Sequence, residues 1–219
     1  MYILFLKRLI DFFISLILFL VISPVFLLLI IVLFIYYKGN PFFFQKRPGY
    51  KASIFSVIKF KSMIDKFDSE GKLLPDSERI TGLGYFLRKT SLDELPQLIN
   101  VIKGDMSLIG PRPLLVKYLT YYTDREFTRH DVRPGITGLA QISGRNNLKF
   151  PERLELDAQY VEQISLKLDL LIFFKTIIKV LVGSDVTVIV TSNKGLDDYR
   201  RNDEYFIKKN SATQLNKLN

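Results

Sequence analysis

The sequence predicts an α+β chain: a re-entrant N-terminal membrane helix-break-helix, then a compact, mostly helical cytoplasmic domain with short strands and an interfacial amphipathic helix. Three observations predict it. Residues 12–37 carry no charge and are interrupted by Ser23-Pro24; short β-branched and aromatic stretches alternate downstream with residues at helical spacing; and Leu166–Val182 is a second apolar stretch, dotted with lysines. The expected units are a membrane hairpin at 1–37, a catalytic domain at 38–185 and a partly loosely ordered extension at 186–219.

The first unit follows from length and charge. Twenty-six uncharged residues exceed the roughly 20 that a membrane helix needs. A signal peptide would have a shorter apolar core ending in small residues, whereas this run ends in Phe34, Ile35, Tyr36 and Tyr37. Pro24 removes a backbone donor and crowds the Leu20 carbonyl, so the helix is expected to break there. Each limb would then reach about 18 Å, short of a hydrocarbon core of about 30 Å. Lys7 and Arg8 precede the run and Lys38, Lys46, Arg47 and Lys51 follow it, without the asymmetry of a single span. A hairpin entering one leaflet, with both ends cytoplasmic, satisfies both features.

Beyond the anchor, residues 42–45 and Ile54–Phe60 read as strands. Residues 65–77, polar with Gly71 and Pro75, read as a surface loop, and residues 78–89 as a helix. Leu92, Leu95, Leu98, Ile99 and Ile102 predict an amphipathic helix over 92–102, stopped before Gly104. Residues 106–110 form a predicted strand, 114–122 a helix, 139–143 a strand, and 151–163 a helix with proline in its first turn. Leu166–Val182 reads equally as a core helix or as one lying on a bilayer, with Lys175 and Lys179 on one face. Residues 202–219 form a polar tail.

Composition narrows the chemistry. With no cysteine there are no disulfides or thiolate metal sites, and one histidine, His130, leaves only a hard, oxygen-bound cation as a plausible metal. A net charge of +9 points to acidic partners: nucleic acid, anionic lipid or phosphorylated small molecules.

The most informative tetrapeptide is Ser91-Leu92-Asp93-Glu94. It has the form of a capping box, with Ser91 at the N-cap and Glu94 at N3. The same geometry suits chemistry, because a helix start favours ionised carboxylates and phosphate, and an ionised Asp93 could attack phosphorus as a covalent nucleophile. Two neighbouring carboxylates facing a diphosphate would require a hard cation such as Mg²⁺. Arginines beside proline and glycine turns supply the complement: Arg112 within Gly110-Pro111-Arg112-Pro113, Arg133 before Pro134-Gly135, and Arg145 after Gly144.

At these residues the chain resembles the small bacterial monotopic phosphoglycosyl transferases, which place a sugar phosphate on polyprenyl phosphate. The resemblance runs from about Lys7 to Val182. It rests on Lys7-Arg8-Leu9-Ile10-Asp11-Phe12, Ser23-Pro24, Gln45-Lys46-Arg47-Pro48-Gly49, Lys59-Phe60-Lys61-Ser62-Met63, the stretch Arg88-Lys89-Thr90-Ser91-Leu92-Asp93-Glu94-Leu95-Pro96-Gln97-Leu98, then Gly104-Asp105-Met106-Ser107-Leu108-Ile109-Gly110-Pro111-Arg112-Pro113 and Arg133-Pro134-Gly135-Ile136-Thr137-Gly138.

The resemblance implies a membrane helix broken at Ser23-Pro24 and a Mg²⁺-dependent, two-step transfer from a UDP-sugar to undecaprenyl phosphate. By the same matching Asp93 is the nucleophile, Asp93 and Glu94 hold the metal, and Lys59 and Asp157 are required polar partners. Arg88 would face lipid phosphate, while Arg112, Arg145, Gln97 and Arg133 would bind substrate. The enzyme would be monotopic at the inner membrane, in contact with membrane lipid and facing the cytoplasm, with no nucleic-acid partner; a homo-oligomer is compatible. Leu139 and Ser143 depart from the usual pattern, near the presumed sugar side. The missing large N-terminal membrane region of hexose-specific relatives favours a modified N-acetylamino sugar.

Two other classes compete. A membrane-tethered binder of anionic lipid or nucleic acid would show long Lys/Arg runs or base-stacking aromatics among them, and here the cations are scattered. A diphosphate hydrolase would use water as acceptor; the long membrane anchor argues against it without excluding it.

Overall fold

The structure, a computed structural model, describes residues 2–144, 148–182, 195–201, 203 and 206. A π-helical turn, Tyr2–Leu6, leads into α1, Lys7–Tyr37. There follow β1, Phe42–Pro48; β2, Ile54–Phe60; α2, Asp76–Arg79; α3, Gly82–Lys89; and α4, Gln97–Lys103. The chain continues through β3, Ser107–Ile109; α5, Asp124–Phe127; β4, Gly135–Thr137; α6, Leu139–Ser143; α7, Phe150–Gln163; α8, Leu166–Val182; and α9, Leu196–Arg200.

The helix α1 is long and apolar enough to cross a membrane, and it runs continuously through Ser23 and Pro24. Proline cannot donate to the Leu20 carbonyl, and the Ser23 hydroxyl donates to it instead at 2.7 Å. Both halves of α1 pack on the same domain. Ile14, Leu18, Phe19 and Ile22 lie against a core containing Leu98, Val101, Met106, Ile109, Tyr160 and Ile172. Phe26 and Leu33 pack with Phe60 and Leu87.

Polar ties fasten its ends. Lys7 donates to Asp169 of α8 at 2.7 Å, Arg8 donates to the Val101 and Ile102 carbonyls closing α4, and Asp11 accepts from Ser107 Oγ and Leu108 N–H of β3. At the far end the Tyr37 and Thr81 hydroxyls are 3.0 Å apart.

The two strands read after the anchor form an antiparallel hairpin, with Phe42 opposite Phe60 and Pro48 opposite Ile54. Its turn places Lys51 and Ala52 at φ of 52° and 58°. The buried Asn100 side chain of α4 stitches to the hairpin by donating to the Ser56 carbonyl and accepting from the Ile58 N–H, which fixes the strand that carries Lys59. A second, parallel pair joins β3 to β4, with Ser107 opposite Gly135 and Ile109 opposite Thr137. The backbones meet so closely that a Cβ on Gly135 would lie 2.1 Å from the Gly110 nitrogen.

Several sequence expectations change. Residues 139–143 are the helix α6, not a strand: the alternation of Ala140 and Ile142 arises because a five-residue helix is wedged between α7 and α8, and such a short segment fits both periods. The helix expected over 92–102 divides into one 3₁₀ turn, Leu92–Glu94, and α4, because Pro96 has no N–H to continue the ladder. Ser91 sits at φ 59° with no side-chain cap, so the capping box does not form. The helix over 78–89 is split at extended Ile80, and Thr81 caps α3 by accepting from the Gly84 N–H. Residues 114–122 hold a 3₁₀ stretch, Val116–Tyr121.

Helix α8 packs one face inward, as a core helix would, and leaves the other exposed. Asp169 and Ile172 are buried inward, while Leu170, Leu171, Phe174 and Ile178 are exposed outward. In the extension, α9 is docked with Leu196 fully buried. Residues 207–219 lie outside the described residues.

A Cβ on Gly84 would meet the Ser62 carbonyl oxygen at 1.8 Å, a backbone atom that cannot rotate away. Gly84→Ala is expected to destabilise the domain by about 3 kcal/mol, the upper end for overpacking, read as a lower thermal midpoint in detergent. An unchanged midpoint would contradict this packing.

Candidate active site

Three local structures converge on one carboxylate. Lys59 comes from the end of β2, Glu94 from the 3₁₀ turn before α4, and Arg112 from the proline-flanked loop after β3. Lys59 Nζ donates to Glu94 Oε1 at 2.8 Å. Arg112 Nη2 donates to the same oxygen at 2.5 Å, and Nη1 reaches Oε2 at 3.4 Å. Burial alone would raise the Glu94 pKa, but Arg112 and Lys59 outweigh it and hold the group well below the usual carboxylate range.

Asp93 is the contrasting neighbour. It is 8% exposed and accepts no side-chain hydrogen bond among the described residues. Burial, then the adjacent Glu94 charge, push its carboxyl up to about 6, with Lys59, Arg112 and Arg88 opposing. Two adjacent carboxylates thus have separate roles by environment: one permanently charged and neutralised by cations, the other poised to ionise near neutral pH.

Behind Arg112 lies a buried relay. Arg129 Nη2 donates to the Arg112 carbonyl at 2.6 Å and to Asp157 Oδ2 at 2.8 Å, and Nη1 donates to the Tyr122 hydroxyl at 2.9 Å. Asp157 therefore acts on the site through Arg129. Burial lifts its carboxyl to about 6, against the pull of Arg129. Further cations crowd the same region: burial, then repulsion from Arg112, lower Arg47 to about 10 and also lower Arg153. Guanidinium groups that repel one another are held together at a cost that an anionic ligand would relieve.

Of the residues expected from sequence, Asp93, Glu94, Lys59 and Arg112 come together, and Asp157 stands one residue behind them. Arg88, in the last turn of α3, donates to Ser62 Oγ at 3.0 Å and contributes field to Asp93. Gln97 is buried in the first turn of α4 with its Nε2 unpartnered. Arg133 donates through Nε to the Gly104 carbonyl, beside the loop that follows α4, and its guanidinium lies over the Tyr50 ring, 5.9 Å from the centroid. Arg145 lies outside the described residues.

Arg47, Arg129 and Arg153 were not singled out as site residues from sequence. Arg47 lies inside the Gln45-Lys46-Arg47-Pro48-Gly49 motif, whereas nothing in the local pattern marks Arg129 or Arg153. His130 is structural: buried between Tyr122 and Phe127 with Nδ1 against the Gly49 carbonyl, its pKa is lowered to about 4 by burial and by Arg129.

The site lies within a recognised family. Residues 2–183 match the family model described as bacterial sugar transferase. The chain belongs to the bacterial sugar transferase family. It is 52% identical over 149 residues to the uncharacterized sugar transferase EpsL of Bacillus subtilis, covering 68% of this chain and 74% of that protein. It is 39% identical over 172 residues to the exopolysaccharide production protein ExoY of Rhizobium meliloti, covering 71% and 76%. It is also 38% identical over 195 residues to the undecaprenyl-phosphate galactose phosphotransferase of Salmonella typhimurium, covering 78% of this chain but 40% of that longer protein.

For a metal, the chain offers Asp93 and Glu94, and no cluster of three or more His, Cys, Asp or Glu exists among the described residues. Those two carboxylates are the groups that could hold a hard cation, with Glu94 already bonded by Lys59 and Arg112.

Two outcomes test this electrostatic arrangement. Glu94→Gln removes the like charge beside Asp93 and frees two cations to face it, so the Asp93 titration should move below 6, followed by the carboxyl carbon resonance in labelled protein; an upward move would refute the assignment. Asp157→Ala leaves the Arg129 charge buried and unpaired and should cost about 3–5 kcal/mol, with Asp157→Asn costing less, measured by unfolding in detergent.

Proposed function

We propose that this protein transfers a sugar 1-phosphate from a UDP-sugar to undecaprenyl phosphate at the cytoplasmic face of the inner membrane, releasing UMP and starting a polysaccharide. The observation that carries the reading is the pairing of Asp93, buried and without a side-chain hydrogen bond among the described residues, with Glu94, which is held by Lys59 and Arg112. Membership of the sugar transferase family and the printed names of its relatives support the reaction class.

In the first step an Asp93 carboxylate oxygen bonds to the β-phosphorus of the UDP-sugar, and the bond from that phosphorus to the bridging oxygen breaks. UMP leaves with the electron pair, and the phosphosugar remains on Asp93. In the second step an oxygen of undecaprenyl phosphate attacks the same phosphorus and restores the carboxylate. No water is consumed. Arg112, with Arg47 and Arg153 near it, would hold the diphosphate, and Arg88 would face the lipid phosphate. Mg²⁺ held by Asp93 and Glu94 would neutralise the diphosphate charge.

The topology belongs to the same proposal. A straight 31-residue helix would measure about 46 Å, yet residues at both ends of α1 are tied to one domain. A helix entering one leaflet, bent at Ser23-Pro24, reconciles apolar exposure with those ties. The exposed apolar face of α8 would rest on the same surface.

In detergent or lipid with Mg²⁺, UMP release should require a UDP-sugar, and a lipid-linked product should require undecaprenyl phosphate. The donor panel should include N-acetylamino sugars, the class anticipated from sequence, and UDP-galactose, after the relative's name. Asp93→Asn should abolish both UMP release and any phosphosugar adduct seen by intact mass; full activity would exclude the covalent route.

A further inference from the structure

The family match ends at residue 183, but α9 and Phe206, which lie beyond it, are docked on the domain. Their contacts converge on one stretch of chain. Lys117 Nζ donates to Asp197 Oδ2 at 2.7 Å. Leu196, fully buried, packs in a cluster with Tyr118, Tyr122 and Leu154. Arg200 donates to the Tyr121 carbonyl and, through both terminal nitrogens, to Glu126. The Arg200 guanidinium also lies over the Phe206 ring, 4.6 Å from its centroid.

Apart from Leu154, the contacted residues lie between Lys117 and Glu126, a few residues after Arg112 in the chain. Arg112 is the guanidinium that pairs with Glu94, and Tyr122 accepts from Arg129, whose other nitrogen holds the Arg112 carbonyl. Arg129 therefore holds both ends of residues 112–122 from inside, and the C-terminal segment holds their second half, from Lys117 on, from outside. We propose that α9 is a clasp and Arg200 a positioning residue: by fixing residues 117–122, they hold Arg112 in the orientation that binds a diphosphate. This rests on the reading of Arg112 as a diphosphate ligand.

Direct binding separates the clasp from the overall reaction. UDP binding with Mg²⁺ would be followed by calorimetry on the full chain in detergent, for wild type, Arg200→Ala, Arg200→Lys, Arg112→Ala and the Arg112→Ala/Arg200→Ala double variant. Arg200→Ala should weaken UDP binding about tenfold, and Arg200→Lys, which keeps the charge but not the two-nitrogen contact with Glu126, should restore only part of it. In the Arg112→Ala background, Arg200→Ala should change UDP affinity less than twofold, because the group being positioned is gone.

Where donor turnover is measured, Arg200→Ala should raise the donor KM by the same factor with little change in kcat. Loss of thermal stability with unchanged UDP affinity would overturn the proposal, as would full multiplication of the two single effects. Absence of sugar transfer by the wild type together with normal UDP binding would refute the transferase reading and leave the clasp standing.

Discussion

The site depends on a carboxylate that must satisfy two cations at once. Glu94 draws Lys59 from a strand and Arg112 from a proline-bound loop toward a 3₁₀ turn, so three elements without local sequence contact are fixed relative to each other. Beside it Asp93 is buried without a side-chain hydrogen bond among the described residues. Without those two cations the Asp93 carboxyl, already raised by burial and by the Glu94 charge, would rise further. The fold spends its specificity on this arrangement. Asn100 locks the strand behind Lys59, Arg129 locks the backbone behind Arg112, and Pro96 ends the turn directly after Leu95.

The second constraint is the union of anchor and domain. Charged residues at the start of α1 are answered from β3, α4 and α8, which follow about a hundred residues or more later in the chain. Buried charges tolerate such positions only when paired and hydrogen-bonded. Lys7 and Asp11 therefore act as registration marks, setting how deeply α1 lies against the core. The apolar side of α8, next to those marks, extends the same surface.

Much of this was legible in the sequence because the signals were local. The uncharged run, the hairpin strands and the Asp93-Glu94 pair each follow from composition or spacing within a few residues. Where the sequence misled, two physical effects competed at short range. Residues 139–143 satisfied strand alternation and a short buried helix equally well, and tertiary packing chose the helix. Ser91-Leu92-Asp93-Glu94 satisfied a capping rule, yet ion pairing with remote Lys59 and Arg112 claimed Glu94. Arg129 was invisible for the same reason, since its meaning lies in Asp157, Tyr122 and the Arg112 carbonyl, none of them its sequence neighbours.

The packing of α1 has a consequence for handling the molecule. Ile14, Leu18 and Phe19 complete one core, and Phe26 and Leu33 form part of another. The apolar segment is therefore not a detachable tether. Deleting it to obtain a water-soluble version would strip one wall from the globular part and expose the strands and helices beneath. The inward side chains of α1 complete the core while its outward ones, among them Phe13, Ile17, Leu20 and Leu28, stay exposed, so a single helix serves both the fold and the apolar surface.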